Sequence, residues 1–195
     1  MTAYTANALL KSTQKLAAWR GQGYANSEGM YFVECIPYKQ MKCVVYHWRH
    51  KPSPLKRKKD GSLPKVKNRP AYYETQIRFK DIIFGEEGDE IPQDGTWAMV
   101  EYKGAKYFFQ KPSIDVNPIQ VDCSCPDFEY RFSKECAEAG VLFSGTWRHY
   151  TRKTPPPEQG GRPYVNPQKV PGMCKHLYNS ITRGITEGWI LGASK

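Results

Sequence analysis

Apolar residues recur at helical spacing near both ends of the chain and in strand-like runs between them. Residues 4 to 19 arrange Ala6, Leu9, Leu10, Leu16 and Trp19 around Lys11 and Lys15, which predicts a short amphipathic helix ended by Gly21 and Gly23. From Met30 to Trp48 the runs MYFVECI and KCVVYHW, separated by Pro37 and polar residues, predict a β-hairpin. AYYETQIRF, TWAMVEY and AKYFFQ follow as further strands, the last two joined by the tight-turn pair Lys103-Gly104. Downstream, Pro126-Asp127 opens a helix that brings Phe128, Phe132 and Cys136 to one face before Gly140 closes it. A last helix starts at about Cys174, with Leu177, Ile181, Ile185 and Trp189 on one stripe.

These elements define an α+β class: a small antiparallel sheet with an N-terminal helix and a metal-clasped, helical C-terminal part. The chain divides into an N-terminal helix and linker (1–29), a β region (30–118) and a C-terminal metal-binding region (119–195). Within the β region, residues 49–70 form an extended loop with almost no apolar content. The C-terminal region carries a long insertion, 126–173, whose second half (TRKTPPPEQGGRPYVNPQKVPG) is rich in Pro and Gly. With 15 Pro and 16 Gly in 195 residues, many irregular connections are expected.

No apolar run approaches the roughly 18 residues needed to cross a bilayer, and the N-terminus lacks the pattern of a secretory signal. The expectation is a protein made in a cytoplasm, neither exported through a signal peptide nor bound to membrane. In that compartment six Cys point to metal ligation or burial more than to disulfides.

Charge sharpens this picture. The formal net charge is +10, yet residues 39–80 hold 13 of the 29 Lys+Arg and only 2 of the 19 Asp+Glu. The rest of the chain is close to neutral, with 16 basic against 17 acidic residues. Lys56, Arg57, Lys58, Lys59, Lys65, Lys67 and Arg69 are therefore the candidate partner-binding residues. They suit either the phosphates of DNA or an acidic surface on another subunit. Tyr46, Trp48, Tyr72 and Tyr73 flank the run, either as stacking platforms for bases or as strand core.

The clearest chemistry lies in two spaced pairs, Cys123-x-Cys125 and Cys174-x-His176. Structural zinc is four-coordinate and takes its ligands as close pairs from two elements. The first pair sits at a turn by Ser124 and Pro126, the second where a helix begins and its unpaired N–H groups favour a thiolate at Cys174. Three thiolates and one imidazole fill a tetrahedron and leave no position for a catalytic water, so the expected cofactor is one structural Zn2+. Cys35, Cys43 and Cys136 have no close partner and read as core or semi-exposed thiols. There is no nucleotide-binding glycine loop and no HExxH pair, and the acidic cluster Glu86, Glu87, Asp89 and Glu90 reads as a solvated hairpin loop. The expectation is a protein that is not an enzyme.

The string Cys123-Ser-Cys125-Pro126-Asp127-Phe128, followed by Pro171-Gly172-Met173-Cys174-Lys175-His176-Leu177, resembles the SWIM-type zinc finger, C-x-C then C-x-H. That resemblance covers about residues 119 to 190 and implies a first pair on a short β-hairpin and a second at a helix start. The 48 residues between Cys125 and Cys174 exceed the family's ordinary spacer. With Asn166-Pro167 between them, the two strings are also similar to SWIM-like proteins of large tailed bacteriophages. This implies a zinc-stabilised structural component of a virion head, neck or tail, partnered by other subunits of the assembly. The alternative is a nucleic-acid-binding finger protein whose basic loop lies on the phosphate backbone.

Overall fold

The computed structural model describes residues 3–16, 29–55, 57, 59–64, 68–86, 89–90, 92–147, 155, 157–161, 164 and 166–193. Helix α1 spans Ala6–Gln14 and begins where Thr5 Oγ1 accepts the N–H of Ala8 at 3.2 Å. Ala6, Leu9 and Thr13 form its buried face. The helix ends at Gln14 with Lys15 as its C-cap, well before the end expected at Gly21 and Gly23; Trp19, Gly21 and Gly23 themselves lie outside the described residues.

Strands β1 (Met30–Tyr38) and β2 (Cys43–His50) form the predicted hairpin across a 3-10 turn at Lys39–Met41. Lys42, at φ 48°, completes the reversal in the left-handed region. Pro37 lies inside β1 instead of interrupting it. β1 is the outermost strand of its sheet, where a residue without an N–H need not break a ladder.

Strand β3 (Tyr73–Phe79) pairs antiparallel with β2, and Ile119–Cys123, a strand the sequence reading passed over, pairs antiparallel with β3. With β4 (Trp97–Tyr102) and β5 (Ala105–Gln110) in between, this last strand is β6. The four-stranded order is β1-β2-β3-β6, while β4 and β5 pair separately as a two-stranded sheet. Lys103 (φ 52°) and Gly104 (φ 78°) are both left-handed, as a two-residue hairpin turn requires.

Alternation decides which face of the larger sheet is buried. Val44, Tyr46, Trp48 and His50 on β2, Thr75, Ile77 and Phe79 on β3, and Ile119, Val121 and Cys123 on β6 all point to one side. Leu9 of α1, Phe109 of β5, and Phe128, Phe132 and Leu177 of the C-terminal helices share one hydrophobic cluster with them. The core thus draws on all three stretches marked out by sequence.

The helix expected over 127–139 is two short ones, α2 (Pro126–Arg131) and α3 (Ser133–Glu138), broken at Phe132, whose φ of −125° is not helical. The apolar face survives the break, since Phe128, Phe132 and Cys136 are all buried. Gly140, at φ 71°, ends α3 with N–H bonds from Gly140 to Ala137 O and from Val141 to Cys136 O. The chain then runs beside β6, with Val121 and Val141–Phe143 exchanging backbone hydrogen bonds. Helix α4 spans Lys175–Thr186 and ends on Gly188 in the same way, so Trp189 lies just past the helix. Among the described residues no helix is long and apolar enough to cross a membrane.

Candidate metal centre

Cys123 is the last residue of β6 and Cys125 is the N-cap of α2, so a single residue, Ser124, turns the chain from strand to helix. Ser124 anchors that turn to β3. Its N–H donates to Glu74 O at 3.0 Å, and its Oγ accepts the Glu74 N–H at 2.9 Å. The first pair therefore sits at a strand-to-helix turn and not on the β-hairpin that the family resemblance implied. The physical reason is local, because Pro126 is pre-set for the first helical position and starts α2 at once.

Cys174 is the N-cap of α4, and His176 lies in that helix's first turn. The preceding residues reach this position through a crowded passage. The Met173 N–H donates to Thr13 Oγ1 at 2.9 Å, and that hydroxyl donates to Leu9 O at 2.8 Å, which ties α1 to the ligand-bearing segment. A Cβ on Gly172 would lie 2.6 Å from the Phe132 ring and 2.7 Å from Thr13 Oγ1, so only glycine fits. Farther back, Asn166 donates to Arg131 O and Val170 O and accepts the Val170 N–H, pinning the returning excursion to the end of α2.

Together these elements place the ligand atoms of Cys123, Cys125, Cys174 and His176 within 4.8 Å of one another, with every residue buried. Cys123 Sγ and His176 Nδ1 are 3.7 Å apart. A tetrahedral ion with metal–sulfur bonds of about 2.3 Å and metal–nitrogen bonds of about 2.0–2.1 Å has a sulfur–nitrogen edge of about 3.6 Å. The donor set fits a single cation at its centre. Tyr73 and His50 hold the His176 ring, with ring centroids 5.1 and 4.9 Å away.

The charge state of the cluster is uneven. Burial pushes the Cys123 and Cys174 thiols well up. Hydrogen bonds from those two thiols hold Cys125 far below the ordinary thiol range, and the Phe128 N–H also points at its Sγ at 3.3 Å. The helix-start thiolate expected at Cys174 thus falls on Cys125. Cys125 gains from the hydrogen bonds of both other thiols, whereas Cys174 is dominated by its complete burial; Cys125 also caps α2 through its sulfur, and Cys174 makes no side-chain cap bond.

The other candidate residues are dispersed. Lys56, Lys58, Lys65 and Lys67 lie outside the described residues. Arg57, Lys59 and Arg69 are exposed, with Arg57 donating to Gly61 O at 2.8 Å and Arg69 to Ser53 O. Of the flanking aromatics, Tyr46 and Trp48 are core, Tyr73 packs on His176, and Tyr72 is exposed. Glu86 pairs with Lys39 at 2.8 Å and its N–H donates to Asp89, while Glu90 is exposed and Glu87 lies outside the described residues. Cys35, Cys43 and Cys136 are all buried, and burial pushes Cys35 and Cys136 up to about 12, far from reactivity.

Sequence reasoning placed the turn at Ser124 and Pro126, where the structure has it, but missed the anchoring of Ser124 to Glu74 and of Met173 to Thr13. Thr13 was visible as a hydroxyl on the apolar stripe of α1, a place where a polar residue needs a partner. Fold and site together define an α+β protein whose two ligand pairs form a buried Cys3His cluster able to hold a metal ion. No protein-family model, curated protein or solved structure matches the chain.

Proposed function

We propose that Cys123, Cys125, Cys174 and His176 hold one structural zinc ion in a SWIM-type finger. The chain is then a non-enzymatic assembly protein, a component of a tailed-bacteriophage virion. The observation that carries the zinc reading is the closed, buried donor set: three sulfurs and one imidazole nitrogen around one point. Such a set suits zinc over harder ions, and its full coordination suits a staple over a catalyst. The staple joins the end of β6 to the start of α4 and closes the 48-residue excursion between them. The assembly reading is supported by the likeness to phage SWIM-like proteins and by the charge concentrated over residues 39–80, of which Arg57, Lys59 and Arg69 are exposed.

Elemental analysis should find about one zinc per chain, lost in Cys174→Ala. Mass spectrometry of purified particles of the encoding phage should find the protein in the virion. Its absence there would end the assembly reading while leaving the zinc reading standing. A second reading, nucleic-acid binding, is favoured by one observation, the concentration of positive charge over residues 39–80.

A further inference from the structure

Residues four apart on a helix share a face, so Lys175, Asn179 and Arg183 form one stripe along α4, continued by Glu187 at its C-terminal cap. That stripe borders two clefts against the β1–β2 hairpin. The first, of about 390 Å³, is walled by His50, Lys51 and Ser53 on one side and by Lys175 and Asn179 on the other. The second, of about 260 Å³, is walled by Phe32, Trp48 and Trp189, with Arg183 and Glu187 beside them. Met30 lines both, which makes them neighbouring parts of one groove.

Each cleft carries its own pointer to a ligand. The first is lined by Lys51, Lys175 and Asn179 and by no Asp or Glu, with the Lys51 ammonium lying 5.6 Å from the centroid of the Tyr31 ring, so the complementary occupant is an anion. The basic loop also converges there. Lys175 Nζ donates to Ser53 Oγ at 2.6 Å, and Arg69, from the loop's far end, donates to Ser53 O. In the second cleft, Trp48 is fully buried, yet its indole N–H has no hydrogen-bond partner among the described residues. Buried donors are ordinarily paired, and an acceptor entering this cleft would pair it. Phe32 is 42% exposed and lies with its ring centroid 4.5 Å from that of Trp189, an aromatic wall open to solvent.

We propose that this groove binds single-stranded nucleic acid, with a backbone phosphate in the Lys51–Lys175 cleft and an adjoining base against the aromatic cleft. One helical turn, about 6 Å of rise for four residues, separates Asn179 from Arg183, a step on the scale of one nucleotide. Trp48 donates to an acceptor on the base edge, while Phe32 and Trp189 offer faces on which any base stacks. Glu187, ion-paired with Arg183, sits at the aromatic end and disfavours a phosphate there, which sets the order of the two contacts. A base reaches the aromatic cleft only when unpaired, so single strands are preferred to duplex. Of the four cluster residues only His176 borders the first cleft, and no ligand contact is assigned to it, so metal content is read alongside binding in every variant.

The test is fluorescence anisotropy of the full chain with a short labelled oligothymidylate and with a duplex of the same length, across a salt series. Single strands should bind more tightly than duplex, with affinity falling as salt rises. Lys51→Glu and Phe32→Ala should each weaken single-strand binding roughly tenfold. Lys106→Glu, the same charge change on an exposed position of β5, should have little effect. Phe32 and Lys51 are exposed, so both variants should keep wild-type thermal unfolding and metal content, and a variant that does not is replaced by Trp189→Phe or Lys51→Gln. Single-strand binding no weaker than duplex binding, or no weaker in Lys51→Glu and Phe32→Ala than in Lys106→Glu, overturns the proposal.

Discussion

At the scale of single residues, the candidate metal centre depends on neighbours outside the Cys3His cluster. Gly172 has no room for a methyl group, because the added Cβ would press on the Phe132 ring and Thr13 Oγ1. Gly172→Ala should therefore destabilise the protein by about 1–3 kcal/mol in denaturant unfolding, the usual cost of overpacking a filled site. Thr13→Val keeps the shape but leaves the Met173 N–H without an acceptor, and the expected loss is about 1–3 kcal/mol. The uneven charge of the cluster has its own consequence. Burial raises the Cys123 and Cys174 thiols, so loading a cation displaces thiol protons. Apparent affinity should then rise with pH below the range where those thiols titrate. Competition against a chelator of known proton dependence would measure this, and a slope near zero would contradict the charge assignment. The four ligands were legible in the sequence because each pair has a fixed spacing beside a turn or helix start. The supporting residues were not, since the hydrogen bonds of Ser124 to Glu74 and of Thr13 to Met173 join positions remote along the chain.

At the scale of elements, local signals were faithful where one element decides its own fate. Thr5 caps α1, Lys103-Gly104 turns β4 into β5, and Gly140 and Gly188 close α3 and α4 through left-handed backbone. Gly188→Ala should cost about 1 kcal/mol of stability, because alanine resists a φ of 71°. A loss well below that in thermal unfolding would mean that the end of α4 frays at little cost. Elements set by tertiary partners were harder to see. The run Ile119–Cys123 alternates apolar and polar residues as a half-buried strand should, yet it is only five residues long and its last residue, Cys123, already belongs to the Cys-x-Cys pair. The break at Phe132 carries no proline or glycine. Phe128 and Phe132 are both at most 1% exposed, so the buried face runs on through the bend. Sheet partition was likewise beyond a local reading, because β6 returns to β3 past an intervening hairpin.

At the scale of the whole molecule, the proposed zinc ion joins parts that the core alone would hold less firmly. α2 and α3 are six residues each, too short to persist without tertiary support. In this account the metal fixes the N-terminus of α2 and of α4 at one point, and Asn166 and Thr13 lock the excursion and α1 around it. Removing the ion with a strong chelator should lower the unfolding temperature markedly and expose α2–α3 to proteolysis before the β1–β2–β3 hairpins. Uniform cleavage of the two regions would argue against a staple. The charge distribution acquires a place as well. The basic loop lies far from the metal motif in sequence, yet Ser53 at its start contacts Lys175, a neighbour of both Cys174 and His176. The central claim is tested most directly by zinc K-edge X-ray absorption on the purified full chain. The account predicts three sulfur ligands at about 2.3 Å and one nitrogen at about 2.0–2.1 Å. A protein without stoichiometric zinc, or a zinc ion with an oxygen ligand in place of one of the sulfurs, would contradict it.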